Sequence, residues 1–409
     1  MSRYLKVYQQ VDKGMHAAHN KTLSELSRQH RHNYGTRICA RKIFYAGIAD
    51  QWRFCCETLK WVSNTTEGHS FSFCVTDSKA KNAWAFRDAL GKGHHLIVAT
   101  ASCLGSMQSV AEVVAETLFR NPSPREDTTL YRLLGQRLDE ETIVSVAQVV
   151  GMATTLFLLF HEAAHILRGH HFASAADVAR GESRGIPTFA RPMAANVFHG
   201  HVRSPSVVSK TKEFDADLHA FLWSRLYFDN NRPDALGALG EASRRTHLAL
   251  LCSAEGRRYV TLIGAMCFHL NLSGSADHSA LNEGSHPSRH DRVQLTYLAD
   301  YALQAQSAHR ASFLPECIRF SSALVVTDSI RGGTLFPRIA DQIKGASGDS
   351  DLAMLKIATQ WLGNFEDEQG LDEVHHRRMH LINAMQRLAP QLTRHGISTK
   401  LPVFQWWAM

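Results

Sequence analysis

Two histidines four residues apart, His161 and His165, stand in an apolar stretch that runs from residue 156 to 167. On a helix, residues four apart lie on the same face, so both imidazoles can bind one Zn²⁺ ion at about 2.0–2.1 Å. Glu162 would reach the open side of that ion and can take a proton from a water molecule. The spacing predicts a zinc site with a general base, and a core helix with hydrogen-bonded histidines is the alternative.

A catalytic zinc site needs a third protein ligand, and the sequence offers two candidates. The first is His171, ten residues after His161, where metzincin peptidases carry their third histidine. That arrangement requires the helix to end sharply between the second and third ligands. Metzincins use Gly at the position that Arg168 holds here, and Gly169 stands one place later. His171 is therefore the less favoured candidate.

The second candidate is Glu213, four residues before Asp217. Because residues four apart share a helix face, one carboxylate can bind zinc while the other accepts the free ring N–H of a ligand histidine. Apolar neighbours favour a buried face for this pair, whereas Asp215 fits an exposed helix end. We expect Glu213 to be the third zinc ligand and Asp217 to lie behind one of the histidines.

The order His161-Glu-x-x-His165 and then Glu213-x-x-Ala216-Asp217 resembles the gluzincin peptidases of the HtpX and CAAX prenyl endopeptidase group. Two further segments resemble the same group. They are Asn82-Ala83-Trp84-Ala85 before a strand at His95–Thr100, and Ser285-His286-Pro287-Ser288 with Arg292 six residues after the histidine. Together the matches span about residues 70 to 300. The phage-exclusion Lit peptidases, which also combine a soluble chain with His-Glu-x-x-His, are a second candidate relation.

The resemblance implies a zinc-dependent endopeptidase with a zincin-like core, in which a small sheet packs against the active-site helices. Glu162 would be the catalytic base, His286 would stabilise the oxyanion, and Arg292 would lie behind the metal ligands. A protein or peptide substrate would extend along the edge of the strand. Its predicted contacts are Asn82, Ala83, Trp84, Ala85, Leu96, Ile97 and Val98. The alternative from another class is a non-catalytic interaction protein braced by zinc.

The whole chain predicts an α+β fold that is mostly helical. Alternating and β-branched residues indicate strands at 71–76 and 95–100. We expect an N-terminal helical region (1–60), a zinc metallopeptidase domain (61–310) and a mainly helical C-terminal extension (311–409). The predicted helices lie at 106–119, 130–138, 141–171, 212–227, 235–272, 289–308, 351–365 and 371–388, and a β-like run lies at 322–327.

Residues 172–210 are rich in Gly, Pro, Ser and His and show little periodicity. This segment lies between the second and third ligands, so its ends are held near the metal, and loops of this length are usually functional or disordered. Two interpretations stay open. The segment is either a lid that covers the cleft, with His199 and His201 able to approach the metal, or a disordered surface insertion.

Composition describes an ordinary globular protein of 409 residues, with 44% hydrophobic residues and a net charge of +7. The eight cysteines form no Cys-x-x-Cys pair and indicate reduced core residues in a cytoplasmic protein. The basic segment 28–42 fits a solvated helix end better than a nucleic-acid surface. The uncharged stretch 143–160 approaches the length of a membrane span, but its polar residues favour a buried catalytic helix over membrane association.

Overall fold

In the computed structural model of this protein, the described residues are 48–76, 81–89, 91–120, 128–135, 138–172, 205–231, 240–272, 292, 296, 299, 300, 314–332, 383–390 and 392–403. The chain divides into two compact units, Met1–Gly105 with Ser398–Lys400 and Ser106–Ile397 with Leu401–Met409. The predicted boundaries near 60 and 310 do not coincide with this division and stay predictions. Outside the described residues lie the basic segment 28–42, most of the loop 172–210, His286, and all or most of the helices predicted at 289–308, 351–365 and 371–388.

The first unit contains a three-stranded sheet and a helix that packs on it. Its elements are α1 (Ile48–Asn64), β1 (Ser70–Thr76), β2 (Ala83–Phe86) and β3 (His94–Thr100). β3 lies in the centre of the sheet, parallel to β1 and antiparallel to β2. Helix α1 packs against β1. The two strands predicted from alternation are confirmed.

The predicted role of the strand at 95–100 as the sheet edge that receives a substrate is wrong. Leu96, Ile97 and Val98 are buried in the central strand, and both edges of β3 are already paired. A continuous apolar run is typical of a strand that is covered on all sides, which explains its central place. Among the described residues the two edge strands of this sheet are β1 and β2, and β2 holds Ala83, Trp84 and Ala85. Substrate binding at Asn82–Ala85 stays a prediction.

The second unit is helical in its described part. Its helices are α2 (Ala101–Arg120, which contains the boundary between the units), α3 (Thr128–Leu133), α4 (Glu140–Leu167), α5 (Pro205–Asn230), α6 (Glu241–His247), α7 (Ala254–Leu272) and α8 (Leu314–Ile330). The sequence predicts one helix over 235–272, but a π-helical turn at Leu248–Cys252 separates α6 from α7. Helix α5 begins before residue 210, so the C-terminal end predicted for the long loop is wrong.

The β-like run at 322–327 is also helical, since it lies within α8. Every residue from Ser321 to Ser329 is buried. A helix that is covered on all faces shows no apolar stripe, so its β-branched residues misled the prediction.

Helix α4 is the core element that carries the two histidines. Asp139 caps its first turn by accepting the N–H of Thr142 at 2.9 Å, and two glutamates follow where the helix dipole favours negative charge. Helices α5 and α7 pack along it. Gly264 of α7 permits a close approach, because a Cβ atom there would lie 2.8 Å from Ala153 of α4. Helix α4 is therefore held between two neighbouring helices.

By length and composition α4 could cross a membrane, and 78% of its most apolar window is buried inside the protein. Core helices of soluble proteins meet the same criteria of length and composition, so this finding does not decide between a membrane span and a buried core helix. No disulfide bond joins two of the seven described cysteines, and five of them are buried: Cys55, Cys74, Cys103, Cys267 and Cys317. Their burial agrees with the prediction of core residues for the part of the chain that is described, and their reduced state stays a prediction.

Candidate metal centre

Helices α4 and α5 bring three potential metal ligands together. The Nε2 atoms of His161 and His165 lie 3.2 Å apart. Oε2 of Glu213 lies 3.4 Å from Nε2 of His161, and its Oε1 lies 3.5 Å from Nε2 of His165. Among the described residues, this is the one group of His, Cys, Asp and Glu side chains close enough to hold a metal ion. The structure thus joins the three residues that the sequence predicted as ligands.

The spacing of these atoms fits a tetrahedral ion of the size of Zn²⁺. With ligands about 2.0–2.1 Å from zinc, neighbouring donor atoms of a tetrahedron lie about 3.3 Å apart. The two histidine nitrogens lie 3.2 Å apart, which is close to that length, and they lie 3.4 and 3.5 Å from the two different oxygens of the Glu213 carboxylate. The side chains of His165 and Glu213 remain 16% and 14% exposed, whereas that of His161 is 5% exposed. The cluster is therefore accessible on one side, which leaves a position for water.

The carboxylates around the cluster favour a proton on His161. Burial lowers the pKa of His161, but the carboxylates of Asp217 and Glu213 outweigh burial and raise that pKa to about 9. Burial holds the pKa of His165 well below its ordinary value. Burial alone would raise the pKa of Glu213, yet the two histidines and Arg292 hold it well below its ordinary value. A cation that binds Nε2 of His161 must displace the proton from that nitrogen.

Asp217 lies behind His161, as the sequence predicted. Its Oδ1 is 2.9 Å from Nδ1 of His161, although the ring N–H does not point straight at this oxygen. Arg292 donates two hydrogen bonds of 2.6 Å to the carboxylate, one from Nε and one from Nη2. These charges hold the pKa of Asp217 below its ordinary value against the effect of burial, which raises it. The Asp217 carboxylate, held by Arg292, orients His161 so that Nε2 of the histidine faces the cluster.

We expect Asp217→Asn to weaken zinc binding by about 10–100-fold, the usual loss when a partner behind a ligand histidine is removed. The amide keeps the shape of the side chain but loses the charge that faces His161 and Arg292. Zinc affinity is measured by competition with a chromophoric chelator. Asp229→Asn is the control, because Asp229 lies on the same helix and pairs with Arg257 instead. Wild-type affinity in Asp217→Asn would show that Asp217 does not support the site.

Glu162 is a buried carboxylic acid near the C-terminal end of α4, with 7% of the residue exposed. Burial raises its pKa from the ordinary 4.5 to about 7, while the charges of His161 and Arg292 act in the opposite direction. A carboxyl group with a pKa near neutrality can both accept and return a proton under ordinary conditions. This agrees with the role of general base predicted from its place in the motif.

In the metal-free protein, we expect Glu162→Gln to be more stable than the wild type above pH 7. The folded pKa of about 7 exceeds the ordinary 4.5, so the stability that the protonated group contributes is full below pH 4.5 and is lost as pH rises through 7. The glutamine does not ionise, and the gap should reach about 3–4 kcal/mol. Denaturant unfolding of both proteins from pH 4.5 to 8.5 measures it. The exposed Glu141→Gln should show no comparable divergence, and a gap that does not change with pH would contradict the expectation.

His171 is not part of the donor group. It is exposed just beyond the end of α4, and the third donor is Glu213. The helix does end sharply, because Gly169 adopts φ +70° after Leu167. That turn leaves His171 outside the cluster, and the metzincin-type arrangement is not found.

Sequence reasoning missed the surroundings of Asp215. Asp215 is fully buried, which corrects the expectation of an exposed helix end. It accepts hydrogen bonds from Nε of Arg168 at 3.0 Å and from Nε2 of His170 at 2.9 Å. These three residues lie behind His165, much as Asp217 lies behind His161. The available signal was the acidic triplet at 213, 215 and 217 together with the unassigned His170.

No known family model, curated protein or solved structure matches this chain.

Proposed function

We propose that this protein is a zinc-dependent endopeptidase of the gluzincin type, related to the HtpX and CAAX prenyl endopeptidase group. The observation that carries the proposal is the convergence of His161 and His165 of α4 with Glu213 of α5: the two Nε2 atoms lie 3.2 Å apart, and they lie 3.4 and 3.5 Å from the carboxylate oxygens of Glu213. Two imidazoles and one carboxylate are a ligand set of catalytic zinc sites in peptidases. His286, the predicted oxyanion stabiliser, lies outside the described residues and stays part of the proposal.

Zinc in this cluster would supply a Lewis acid that polarises a carbonyl group and makes water more acidic. The protein's own residues would transfer the protons and position the metal ligands. Glu162 takes a proton from the attacking water and returns it to the leaving amine, which a pKa of about 7 in the metal-free site suits. Asp217 and Arg292 hold His161 in place, so the geometry of the site survives each turnover.

A non-catalytic zinc-braced protein is the rival interpretation. Structural zinc sites are usually closed by four protein ligands, whereas the described part of the chain brings three donors together and leaves the cluster partly exposed. A buried glutamate beside the metal has no use in a brace, because it costs stability when ionised. Both observations favour catalysis.

The test is a search for new peptide termini. The zinc-loaded protein is incubated with denatured cell protein, and the fragments are identified by mass spectrometry. We expect fragments that disappear when zinc is removed with a chelator and return when zinc is restored. A zinc-loaded protein that yields no fragments from a broad substrate pool would favour the non-catalytic alternative.

A further inference from the structure

The turn that ends α4 brings the chain back towards His165, one of the proposed metal ligands. The N–H of Gly169 donates to the carbonyl of Ile166, and the N–H of His170 donates to the carbonyl of His165, both at 3.1 Å. With Gly169 at φ +70°, these two bonds form a Schellman motif. A Cβ atom at Gly169 would lie 2.6 Å from the backbone of His395, so glycine also permits the packing at this turn. The motif places His170 beside His165.

The side chain of His170 makes a directed chain of hydrogen bonds. Its Nε2 lies 2.9 Å from Oδ2 of Asp215, and an ionised carboxylate only accepts, so Nε2 carries the hydrogen. Its Nδ1 lies 2.8 Å from Nδ1 of His165. If Nε2 of His165 binds the metal, Nδ1 of His165 carries the hydrogen and donates to His170. Each nitrogen and oxygen in this series of hydrogen bonds then acts as either a donor or an acceptor, without conflict.

Asp215 anchors the far end of the chain. Its carboxylate is fully buried and is held by Arg168 at 3.0 Å. The charges of Arg168 and its histidine neighbours hold the pKa of Asp215 well below its ordinary value, although burial raises it. A buried carboxylate fixed by an arginine is a stable acceptor for a buried N–H group. The position of His170 is therefore determined from both sides.

We propose that His170 and Asp215 are positioning residues for the metal ligand His165, an inference that rests on the proposed metal site. Asp217 supports His161 directly, whereas Asp215 supports His165 through an intervening imidazole. Three alternate residues of α5 thus supply one ligand and a carboxylate behind each of the two ligand histidines. The hydrogen-bonded series of Asp215, His170 and His165, which we call the relay, fixes the tautomer and the ring orientation of His165. It also increases the basicity of the His165 nitrogen that faces the cluster.

Two substitutions of His170 test the relay. His170→Phe keeps an aromatic ring of similar shape but removes the acceptor, whereas His170→Asn can keep an acceptor near the place of Nδ1. The control is His95→Phe, because His95 is also a buried histidine but its ring nitrogens contact His69 and the backbone N–H of Asp88 instead. The readouts are zinc affinity by chelator competition, the visible absorption spectrum of the Co²⁺ form, and the circular dichroism of the metal-free protein.

We expect His170→Phe to bind zinc about 10–100-fold more weakly than the wild type and to change the Co²⁺ spectrum. His170→Asn should recover part of this affinity, and His95→Phe should bind zinc like the wild type. The proposal is overturned if His170→Phe binds zinc normally, if the control weakens binding equally, or if His170→Asn is as weak as His170→Phe. If His170→Phe does not fold, His170→Leu, which also lacks the acceptor, is compared with His95→Leu by the same criterion.

These outcomes separate the relay from the proposed function, because none of them depends on turnover. If His161→Ala abolishes zinc binding while His170→Phe does not change it, the relay is wrong and the metal site stands. If the wild type binds no metal at this cluster, both proposals fail.

Discussion

Glu162→Gln should cut turnover by about 10²–10⁴-fold while zinc content and fold stay unchanged, since this is the usual contribution of one general base. Glutamine has nearly the same shape as glutamate, and the donor atoms of the metal cluster belong to other residues. Glu162 is buried next to those ligands, and burial raises its pKa to about 7. The substitution therefore removes the proton acceptor and little else. The measurement is the rate of cleavage of a fluorogenic peptide taken from the fragment search, with zinc content determined on the same sample.

Glu141→Gln makes the same chemical change at an exposed position in the first turn of the same helix. It should cleave at the wild-type rate. Hydrolysis at the wild-type rate by zinc-loaded Glu162→Gln would refute the mechanism, even if the zinc site itself were correct.

His161→Ala should abolish zinc binding and activity together. The substitution removes one of three donors and leaves the carboxylate of Asp217 and its partner Arg292 facing a cavity. We expect a loss of zinc affinity that exceeds about 100-fold, the upper end of the range for residues that only support a ligand. Zinc per chain after dialysis and cleavage of the same peptide are the two measurements.

His171→Ala is the informative control for this variant. His171 was the competing candidate for the third ligand, but it is exposed and lies outside the donor cluster. Zinc content and activity should both survive its removal. If His171→Ala loses zinc while Glu213→Gln keeps it, the assignment of the third ligand is reversed.

The sequence predicted the centre of the site better than its surroundings. His161, His165, Glu213 and Asp217 follow from one rule, because residues four apart share a helix face. Each pair lies on a long helix that the sequence also predicted. The packing of these two helices brings the pairs together. Local spacing was enough in these cases.

The support behind His165 could not be predicted in the same way. It depends on a turn in which Gly169 reverses the chain and on Asp215, which lies 45 residues beyond His170 in sequence. Spacing alone suggested an exposed Asp215, since an acidic residue is usually buried only when it is paired. Its partners Arg168 and His170 become visible only when the two helices are packed together.

The sheet and α8 show the same limit. The run Leu96–Val98 was correctly predicted as a strand, but its central place depends on pairing with both neighbouring strands. Residues 322–327 carry β-branched side chains and yet are helical, because burial on all sides removes the periodicity by which a helix is recognised. Local preference yields to packing in both places.

Anomalous X-ray diffraction at the zinc absorption edge tests whether His161, His165 and Glu213 together hold a single zinc ion. Crystals of the zinc-loaded protein should show one strong anomalous peak about 2.0–2.1 Å from Nε2 of both histidines and from a carboxylate oxygen of Glu213. A zinc site with these three ligands would be contradicted by a peak at any other cluster, by a zinc ion bound by His171 in place of Glu213, or by no peak at this site.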